Sequence, residues 1–106
     1  PSSAYSFGGQ PHKHVEAARV TVAALITADP KEITFTSCGT ESNNSAIHSA
    51  LVTTGKRHVV TTAVEHSANI NFCDHLLKRG YEVTFLPVES DGSLDLHRLD
   101  QAIRPD

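Results

Sequence analysis

Helical and strand-like patterns alternate along the whole chain of 106 residues, and this alternation constrains the fold more than any other feature. Segments with apolar residues at helical spacing are separated by short runs of β-branched and aromatic residues, with connections of only a few residues. Strands that alternate with helices in this way form parallel βαβ units with right-handed crossovers. The sequence therefore predicts an α/β fold in which helices flank a parallel sheet.

The predicted order is helix, strand, helix, strand, helix, strand, helix. The predicted strands cover residues 32–36, 58–62 and 81–86, and Asp91-Gly92 is the expected turn after the last of them. No internal repeat or low-complexity segment interrupts this order. The chain is therefore expected to belong to one domain.

Each predicted helix has an apolar face and residues that favour its ends. The first begins at Pro11, which suits a first helical position, and runs to Ala28. The second ends at Gly55 and the third at Gly80, because glycine is favoured just after a helix. Ser67 and Asp95 are the expected N-caps of the third and fourth helices. The residues expected to face inward include Ala46, Ile47, Ala50 and Leu51 in the second helix, Phe72, Cys73, Leu76 and Leu77 in the third, and Leu96, Leu99 and Ile103 in the fourth.

Composition excludes several classes of function. The formal net charge is -3 and the nine Lys and Arg residues are scattered, so a nucleic-acid partner is not expected. No apolar run reaches the roughly 18 to 20 residues of a transmembrane helix, and no signal pattern is present. Cys38 and Cys73 make no disulfide framework. Reduced thiols and a cytoplasmic location are therefore expected.

The sequence TSCGTESNN, residues 36–44, follows the first predicted strand and opens the second predicted helix. At the carboxyl end of a parallel strand, a helix N-terminus directs free N–H groups toward a ligand. Gly39 allows close approach of the backbone and Thr40 offers a hydroxyl, a combination that suits a phosphate. The stretch is neither a G-x-x-x-x-G-K-[ST] loop nor a G-x-G-x-x-G signature.

A simpler interpretation of this stretch stays open. Thr40 or Ser42 could act only as the helix cap, and Glu41 would repel a phosphate unless its carboxylate pointed away. His66 supports a ligand site, because it follows the strand that ends at Thr62 and is expected at the same edge of the sheet. A histidine in this place could also be a capping or surface residue.

Several short motifs occur together in a characteristic order: Pro1-Ser2-Ser3 with Phe7-Gly8, residues 36–42, Val64-Glu65-His66, and Gly80-Tyr81-Glu82-Val83 before Asp91-Gly92. Together they resemble the N-terminal half of the large domain of a cysteine desulfurase, in the NifS/IscS-like group of class V aminotransferases. The resemblance covers essentially all 106 residues. It implies the type I fold of pyridoxal 5′-phosphate (PLP)-dependent transferases, here as part of the large PLP-binding domain.

The resemblance also implies site residues and an activity. Gly39 and Thr40 match the turn that binds the phosphate of PLP, and His66 matches the histidine that stacks on the pyridine ring and assists proton transfers. The implied full-length enzyme is a homodimer that converts L-cysteine to L-alanine and a protein-bound persulfide. Its sulfur passes to an acceptor or scaffold protein, as in iron–sulfur cluster assembly. Another class V enzyme such as a selenocysteine lyase, or a non-catalytic phosphate-binding module, stays an alternative.

Essential parts of such an enzyme are not expected within this sequence, which is predicted to be a fragment of a longer chain. The family places the Schiff-base lysine, the carboxylate for the pyridine nitrogen and the persulfide-forming cysteine further along. Lys31, Lys56 and Lys78 are expected at the opposite edge of the sheet from the phosphate turn, and Lys13 has no motif around it. The fragment alone is therefore expected to be inactive.

Other residues are assigned no site in this prediction. Neither cysteine is expected to carry the persulfide, and His12 and His14 face different sides of a helix, so no metal site is expected. Two positions depart from the family pattern. Tyr5 stands where the family usually has histidine, and Asn43 stands where it usually has aspartate.

Overall fold

The computed structural model describes the backbone of residues 6–105 and the side chains of residues 9–105. The chain forms two compact units, of which the first ends at Thr36 and the second begins at Ser37. Tyr5 and the motif at residues 1–3 lie outside the described residues. None of the helices in the described part is long and apolar enough to cross a membrane.

The first unit is built on one long helix, α1 (Ser6–Leu25), and the prediction is wrong at both of its ends. Pro11 lies inside the helix instead of at its first position, in the second turn, where the missing N–H removes only one backbone bond. The helix ends early because Thr27 adopts a left-handed conformation with φ 57. The Ala28 amide then donates to the Ala23 carbonyl at 3.0 Å, which is the Schellman pattern of helix termination.

The strand predicted over 32–36 does not form. Its first residue belongs to a short 3-10 helix, Pro30–Glu32, which carries its own capping box. The rest of the segment pairs with no strand in the described part of the chain. Arg19 of α1 binds it instead, since the guanidinium donates to the Ile33 carbonyl and lies 5.0 Å from the Phe35 ring. An extended segment becomes a strand only where its backbone groups pair with a neighbour.

The second unit contains the predicted βαβ arrangement. β1 and β2 pair in parallel, with His58 opposite Glu82 and Thr62 opposite Leu86. This pairing confirms the predicted α/β class, in which a helix connects two neighbouring parallel strands. The elements of the unit in chain order are α2 (Gly39–Thr54), β1 (His58–Thr62), α3 (Ser67–Lys78), β2 (Glu82–Leu86) and α4 (Leu96–Ala102).

A backbone hydrogen bond extends this pairing beyond the carboxyl end of β1. The amide of Ala63 donates to the carbonyl of Leu86 at 2.8 Å. The chain after Ala63 therefore leaves the sheet from a fixed backbone position.

β2 begins one residue later than predicted. The Tyr81 amide donates to the Leu76 carbonyl of α3 at 3.1 Å instead of joining the sheet. Gly80 makes this possible, because its φ of 80 lies in the left-handed region that terminates helices. Gly80, which ends α3, is thus also the reason why β2 begins at Glu82 and not at Tyr81.

The core of the second unit lies where α3 packs on α2 and β2. Leu76 and Cys73 of α3 are 0% and 2% exposed, and Leu51 and Leu86 are also buried. These positions confirm the centres of the apolar faces predicted for α2 and α3. Leu77, however, is 44% exposed, because it lies about 100° around the helix from Leu76.

The ends of α4 are exposed, contrary to the prediction. Leu96 and Ile103 are 71% and 64% exposed. Leu96 is the first residue of this two-turn helix and Ile103 is its C-cap, whereas Leu99 in the middle is half-buried. Only the middle of so short a helix contacts the sheet.

Of the predicted helix ends not described above, two are confirmed and one is wrong. Gly55, with φ 70, terminates α2. Asp95 caps α4 by accepting a hydrogen bond from the His97 amide at 2.9 Å. Ser67 is the first residue of α3 and not its cap, because His66 occupies the N-cap position.

Candidate functional site

The N-terminus of α2 carries the polar stretch in which a phosphate site is predicted. Cys38 is the N-cap, with an extended backbone at φ -166 and ψ 170, and Gly39 is the first helical residue. The first helical bond runs from the Ser42 amide to the Cys38 carbonyl at 3.1 Å. The amides of Gly39 and Thr40 therefore make no intrahelical bond and belong to the positive end of the helix dipole.

Gly39 leaves a cradle beside this backbone. A Cβ built at Gly39 would have no further heavy atom of the described residues within 4 Å. Thr40 is exposed next to it. The cap position belongs to Cys38, so the interpretation of Thr40 or Ser42 as the N-cap does not hold. The cradle and the adjacent hydroxyl are open to a ligand.

Glu41 is turned away from the first-turn amides. One oxygen of its carboxylate accepts hydrogen bonds from the Ser37 amide at 2.7 Å and from the Ser37 hydroxyl at 2.6 Å. These bonds hold the pKa of Glu41 below its ordinary value, with the hydroxyl as the larger cause. The carboxylate is thus bound to the residue before the N-cap and not to the first-turn amides, although its charge still opposes an anion at Cys38.

The helix start also favours negative charge at Cys38. A hydrogen bond from the Glu41 amide lowers the pKa of the exposed Cys38 thiol, and the Ser37 hydroxyl and the Thr40 amide lower it further. Amides that stabilise a thiolate at this place stabilise other anions by the same interaction. The electrostatics of the α2 N-terminus therefore suit a phosphate.

A groove between α2 and α3 adjoins Thr40. It has a volume of about 380 Å³ and is lined by polar and aromatic side chains. One polar atom in it is buried without a hydrogen-bond partner within the described residues, the Oδ1 atom of Asn44. The lining residues are Thr40, Asn44, Ala68, Asn71, Phe72 and His75.

His66 caps α3 through its own imidazole. Its Nδ1 atom accepts a hydrogen bond from the Ala68 amide at 3.1 Å. A ring nitrogen that accepts from an amide carries no proton, so the neutral ring has its proton on Nε2. The capping role that the sequence left open is therefore real, and it leaves Nε2–H of an exposed ring available for a ligand.

A series of hydrogen bonds connects the two candidate segments, which are the start of α2 and the segment that leads into α3. The side-chain Nδ2 atom of Asn43 on α2 donates to Asn69 Oδ1 on α3 at 3.2 Å. Asn69 Nδ2 donates to Glu65 Oε2 at 3.1 Å, and the Thr62 hydroxyl donates to Glu65 Oε1 at 3.2 Å. The start of α2, which carries Gly39 and Thr40, thereby lies beside the start of α3, which carries His66.

Only weak signals for these hydrogen bonds are present in the sequence. Asn43 was notable only as a departure from the family pattern, and Glu65 and Asn69 were assigned no role. The four-residue spacing of Glu65 and Asn69 at a helix start is a signal, since side chains at this spacing are neighbours. Their contact with Asn43 follows only from how α2 and α3 pack.

The lysines of the second unit lie away from this site. Lys56 precedes β1, and its ammonium donates to the Pro105 carbonyl at 2.6 Å. Lys78 ends α3. The α2 and α3 helices have 16 and 12 residues, so these lysines lie about 24 and 18 Å along the helix axes from the respective helix starts, at a rise of about 1.5 Å per residue. Lys13 and Lys31 belong to the first unit.

Other candidate residues form no site. Cys73 is buried, and burial raises the pKa of its thiol. Among residues 9–105 there is no group of three or more His, Cys, Asp or Glu side chains that could hold a metal ion.

Comparison with known proteins gives consistent relatives. The sequence model of the class-V aminotransferases matches residues 1–106. The chain is 53% identical over 107 residues to cysteine desulfurase 2 of Trichormus variabilis, covering 100% of this chain and 27% of that protein. A solved NifS-like protein matches with a TM-score of 0.85 and 36% identity, covering 100% of this chain and 30% of that one. A solved structure of SspA in complex with cysteine matches with a TM-score of 0.82 and 33% identity, covering 99% and 31%.

The chain thus spans little more than a quarter of the curated relative it matches. Both the sequence model and the solved structures cover nearly its whole length, and the parallel βαβ unit accords with the type I fold that the resemblance implied. The chain belongs to the class-V aminotransferase family.

Proposed function

We propose that this chain is part of the large domain of a PLP-dependent cysteine desulfurase. The full-length enzyme would convert L-cysteine to L-alanine and leave the sulfur as a persulfide on one of its own cysteines. The observation that carries the proposal is the anion-favouring start of α2 beside the His66 imidazole. The similarity to cysteine desulfurase 2 and to SspA, a protein solved with cysteine, supports the choice of substrate.

The residues of the α2 N-terminus fit a cofactor phosphate. The Gly39 amide and the Thr40 amide and hydroxyl would hold it, because the cradle at Gly39 lets phosphate oxygens approach the backbone. Glu41 does not compete for these donors, since its carboxylate is bound to Ser37. The lowered pKa of the Cys38 thiol supports this fit, because the Glu41 amide is its largest cause and the Thr40 amide contributes to it as well.

His66 would lie against the ring of the cofactor. PLP, when bound, supplies the electron sink that stabilises carbanionic character in the substrate. The role of this chain would be to keep the imidazole oriented, through the hydrogen bond that the Ala68 amide donates to Nδ1. With Nδ1 engaged, Nε2 is the nitrogen that holds or moves a proton near the substrate.

Other functional groups are proposed to come from outside this chain. The Schiff-base lysine, a carboxylate for the pyridine nitrogen and the persulfide cysteine would lie in the remainder of a longer protein, in line with a coverage of 27% of the relative. We also propose a homodimer and a sulfur-accepting or scaffold protein as partners, and a compartment that keeps thiols reduced, such as the cytoplasm. Cys38 and Cys73 form no disulfide within the described residues, which supports that compartment.

The test uses the full-length protein that contains this chain. The purified enzyme should show the visible absorbance of bound PLP and should form alanine and sulfide from L-cysteine in the presence of a thiol reductant. L-Selenocysteine is the comparison substrate. A preference for selenocysteine with no turnover of cysteine would identify a selenocysteine lyase, and absence of bound PLP would contradict the proposal.

A further inference from the structure

Asn69 is the residue in which the two candidate segments meet. Its side-chain amide uses both ends, since Oδ1 accepts from Asn43 on α2 and Nδ2 donates to Glu65, the neighbour of His66. Asn43 lies four residues after Gly39, so it belongs to the first turns of the same helix. A single amide group therefore connects the α2 helix start with the segment that presents the histidine.

The three hydrogen bonds are all directed toward the Glu65 carboxylate. Thr62 and Asn69 both donate to the Glu65 carboxylate, and Asn43 donates to the side-chain Oδ1 atom of Asn69. Bonds to a charged acceptor are stronger than neutral ones. The two bonds to Glu65 are partly buried, so water screens them less than it screens a surface contact, whereas the bond from Asn43 to Asn69 is exposed.

We propose that Asn69 is a positioning residue for cofactor binding. Resting on the PLP function proposed above, it holds the phosphate-binding turn at Gly39 and Thr40 at a fixed position relative to His66. A phosphate and a ring belong to one rigid cofactor, so the two protein groups that bind them must keep a fixed separation. The hydrogen bonds that connect Asn43 with Glu65 through Asn69 maintain that separation before the cofactor binds. This lowers the free-energy cost of ordering the site on binding.

The critical variant is Asn69→Asp in the full-length enzyme. An aspartate can still accept from Asn43 but places a second carboxylate against Glu65, where the present distance is 3.1 Å. Adding Glu65→Gln to this variant reverses the central bond, because the glutamine amide donates to Asp at position 69 and its oxygen still accepts from Thr62. The double variant conserves the net charge and can form all three hydrogen bonds.

Titration of the apoenzymes with PLP is the main measurement. Asn69→Asp is expected to raise the Kd for PLP about tenfold, as for a lost hydrogen bond to a charged group, and the double variant to return it to within about twofold of the wild type. The absorbance maximum of bound PLP should shift in Asn69→Asp and return in the double variant. Gln101→Leu, which removes an exposed amide from α4, is the control and should change neither value.

Each outcome decides the proposal. If wild-type enzyme binds PLP and Asn69→Asp binds it equally well, Asn69 has no positioning role, although the PLP function stands. A lower melting temperature of Asn69→Asp with an unchanged Kd would likewise show a structural role only. If wild-type enzyme binds no PLP, the proposed function itself has failed. Should Asn69→Asp not fold, Asn43→Ala removes only the bond between the helices and must raise the Kd in the same direction, or the proposal is overturned.

Discussion

The amide of Ala68 donates a hydrogen bond to Nδ1 of His66, so the imidazole proposed to contact the cofactor is also the N-cap of α3. A structural and a proposed catalytic role thus belong to different nitrogens of one ring. Substitutions can separate these roles, because an asparagine caps a helix as well as histidine does here but supplies no imidazole.

His66→Ala and His66→Asn should therefore differ in stability and agree in activity. Loss of the cap in His66→Ala should cost about 1 kcal/mol of unfolding free energy, whereas His66→Asn should stay close to the wild type. Both should lower turnover of L-cysteine strongly, since neither supplies an imidazole. Urea denaturation and alanine formation by the full-length enzyme measure the two effects. Equal stability of both variants would show that the cap contributes nothing.

Thr40→Ala should weaken cofactor binding without weakening the fold. We expect a loss of about 1–3 kcal/mol in PLP affinity, the usual contribution of a hydrogen bond to a charged group. The unfolding free energy of the apoenzyme should change little, because Cys38 and not Thr40 is the N-cap of α2. Thr40→Ser retains the hydroxyl and serves as the matched control. PLP retention on dialysis that is the same in Thr40→Ala and in wild type would contradict the assignment.

Glu41 should give a pH-dependent contribution to stability. Its pKa is lowered from 4.5 in the folded chain, mainly by the Ser37 hydroxyl and then by the Ser37 amide. A lowered folded pKa means that the contribution is fully present above the unfolded value near 4.5 and is lost as the pH falls through the lower folded value.

The corresponding measurement compares wild type with Glu41→Gln by urea denaturation at several pH values. Wild type should be the more stable apoenzyme at pH 7, and the difference should shrink as the pH falls below the unfolded pKa of 4.5 and through the lower folded pKa of Glu41. Ser37→Ala should reduce the same difference at pH 7 by removing the hydroxyl. A difference in unfolding free energy between wild type and Glu41→Gln that does not depend on pH would contradict a stabilising role of the Glu41 carboxylate.

Leu76→Ala should be among the most destabilising apolar substitutions in the second unit. Leu76 is 0% exposed at the contact of α3 with the sheet, and a cavity there should cost about 2–5 kcal/mol. Leu77→Ala, the same change at an exposed neighbour, should cost less than about 1 kcal/mol. Chemical denaturation of both apoenzyme variants provides the comparison. Similar losses for the two would mean that other parts of the full-length protein cover Leu77.

The isolated 106-residue chain should not turn over L-cysteine when PLP is added. Lys56 and Lys78 lie at the far ends of α2 and α3 from the candidate site, so no amine of the second unit reaches the cofactor aldehyde. Sulfide release with L-cysteine and PLP is the measurement, and the full-length enzyme is the positive control. Turnover by the isolated chain would show that a lysine within it forms the Schiff base.

Sequence patterns predicted the fold best where the local signal and the packing coincide. The parallel pairing of β1 with β2 and the ends of α2 and α3 at Gly55 and Gly80 follow from apolar runs and glycine positions. The strand predicted over 32–36 was wrong because a strand also requires a pairing partner, which local sequence does not specify. The end of α1 was wrong because Thr27, a β-branched residue, adopts an unusual left-handed conformation.

The candidate site was predictable only in part for a similar reason. Gly39, Thr40 and His66 carry local signals and came with a family resemblance, and their role in cofactor binding stays a prediction. Asn69 carried no such signal, because its importance arises from a contact with Asn43 on another helix. The direction of the Glu41 side chain was also not predictable, and only the structure shows that its carboxylate binds Ser37 and not the first-turn amides.

The short connection from β1 to α3 acts as a spacer of defined length. Ala63 is bound to Leu86 in the sheet and His66 is bound to its own helix, with only Val64 and Glu65 between them. An inserted residue would therefore rotate or displace the imidazole even if every side chain were kept, whereas a change at the exposed Val64 side chain would not. Val64 can therefore be replaced in this connection, but the number of residues is constrained by the geometry of the ring that the connection carries.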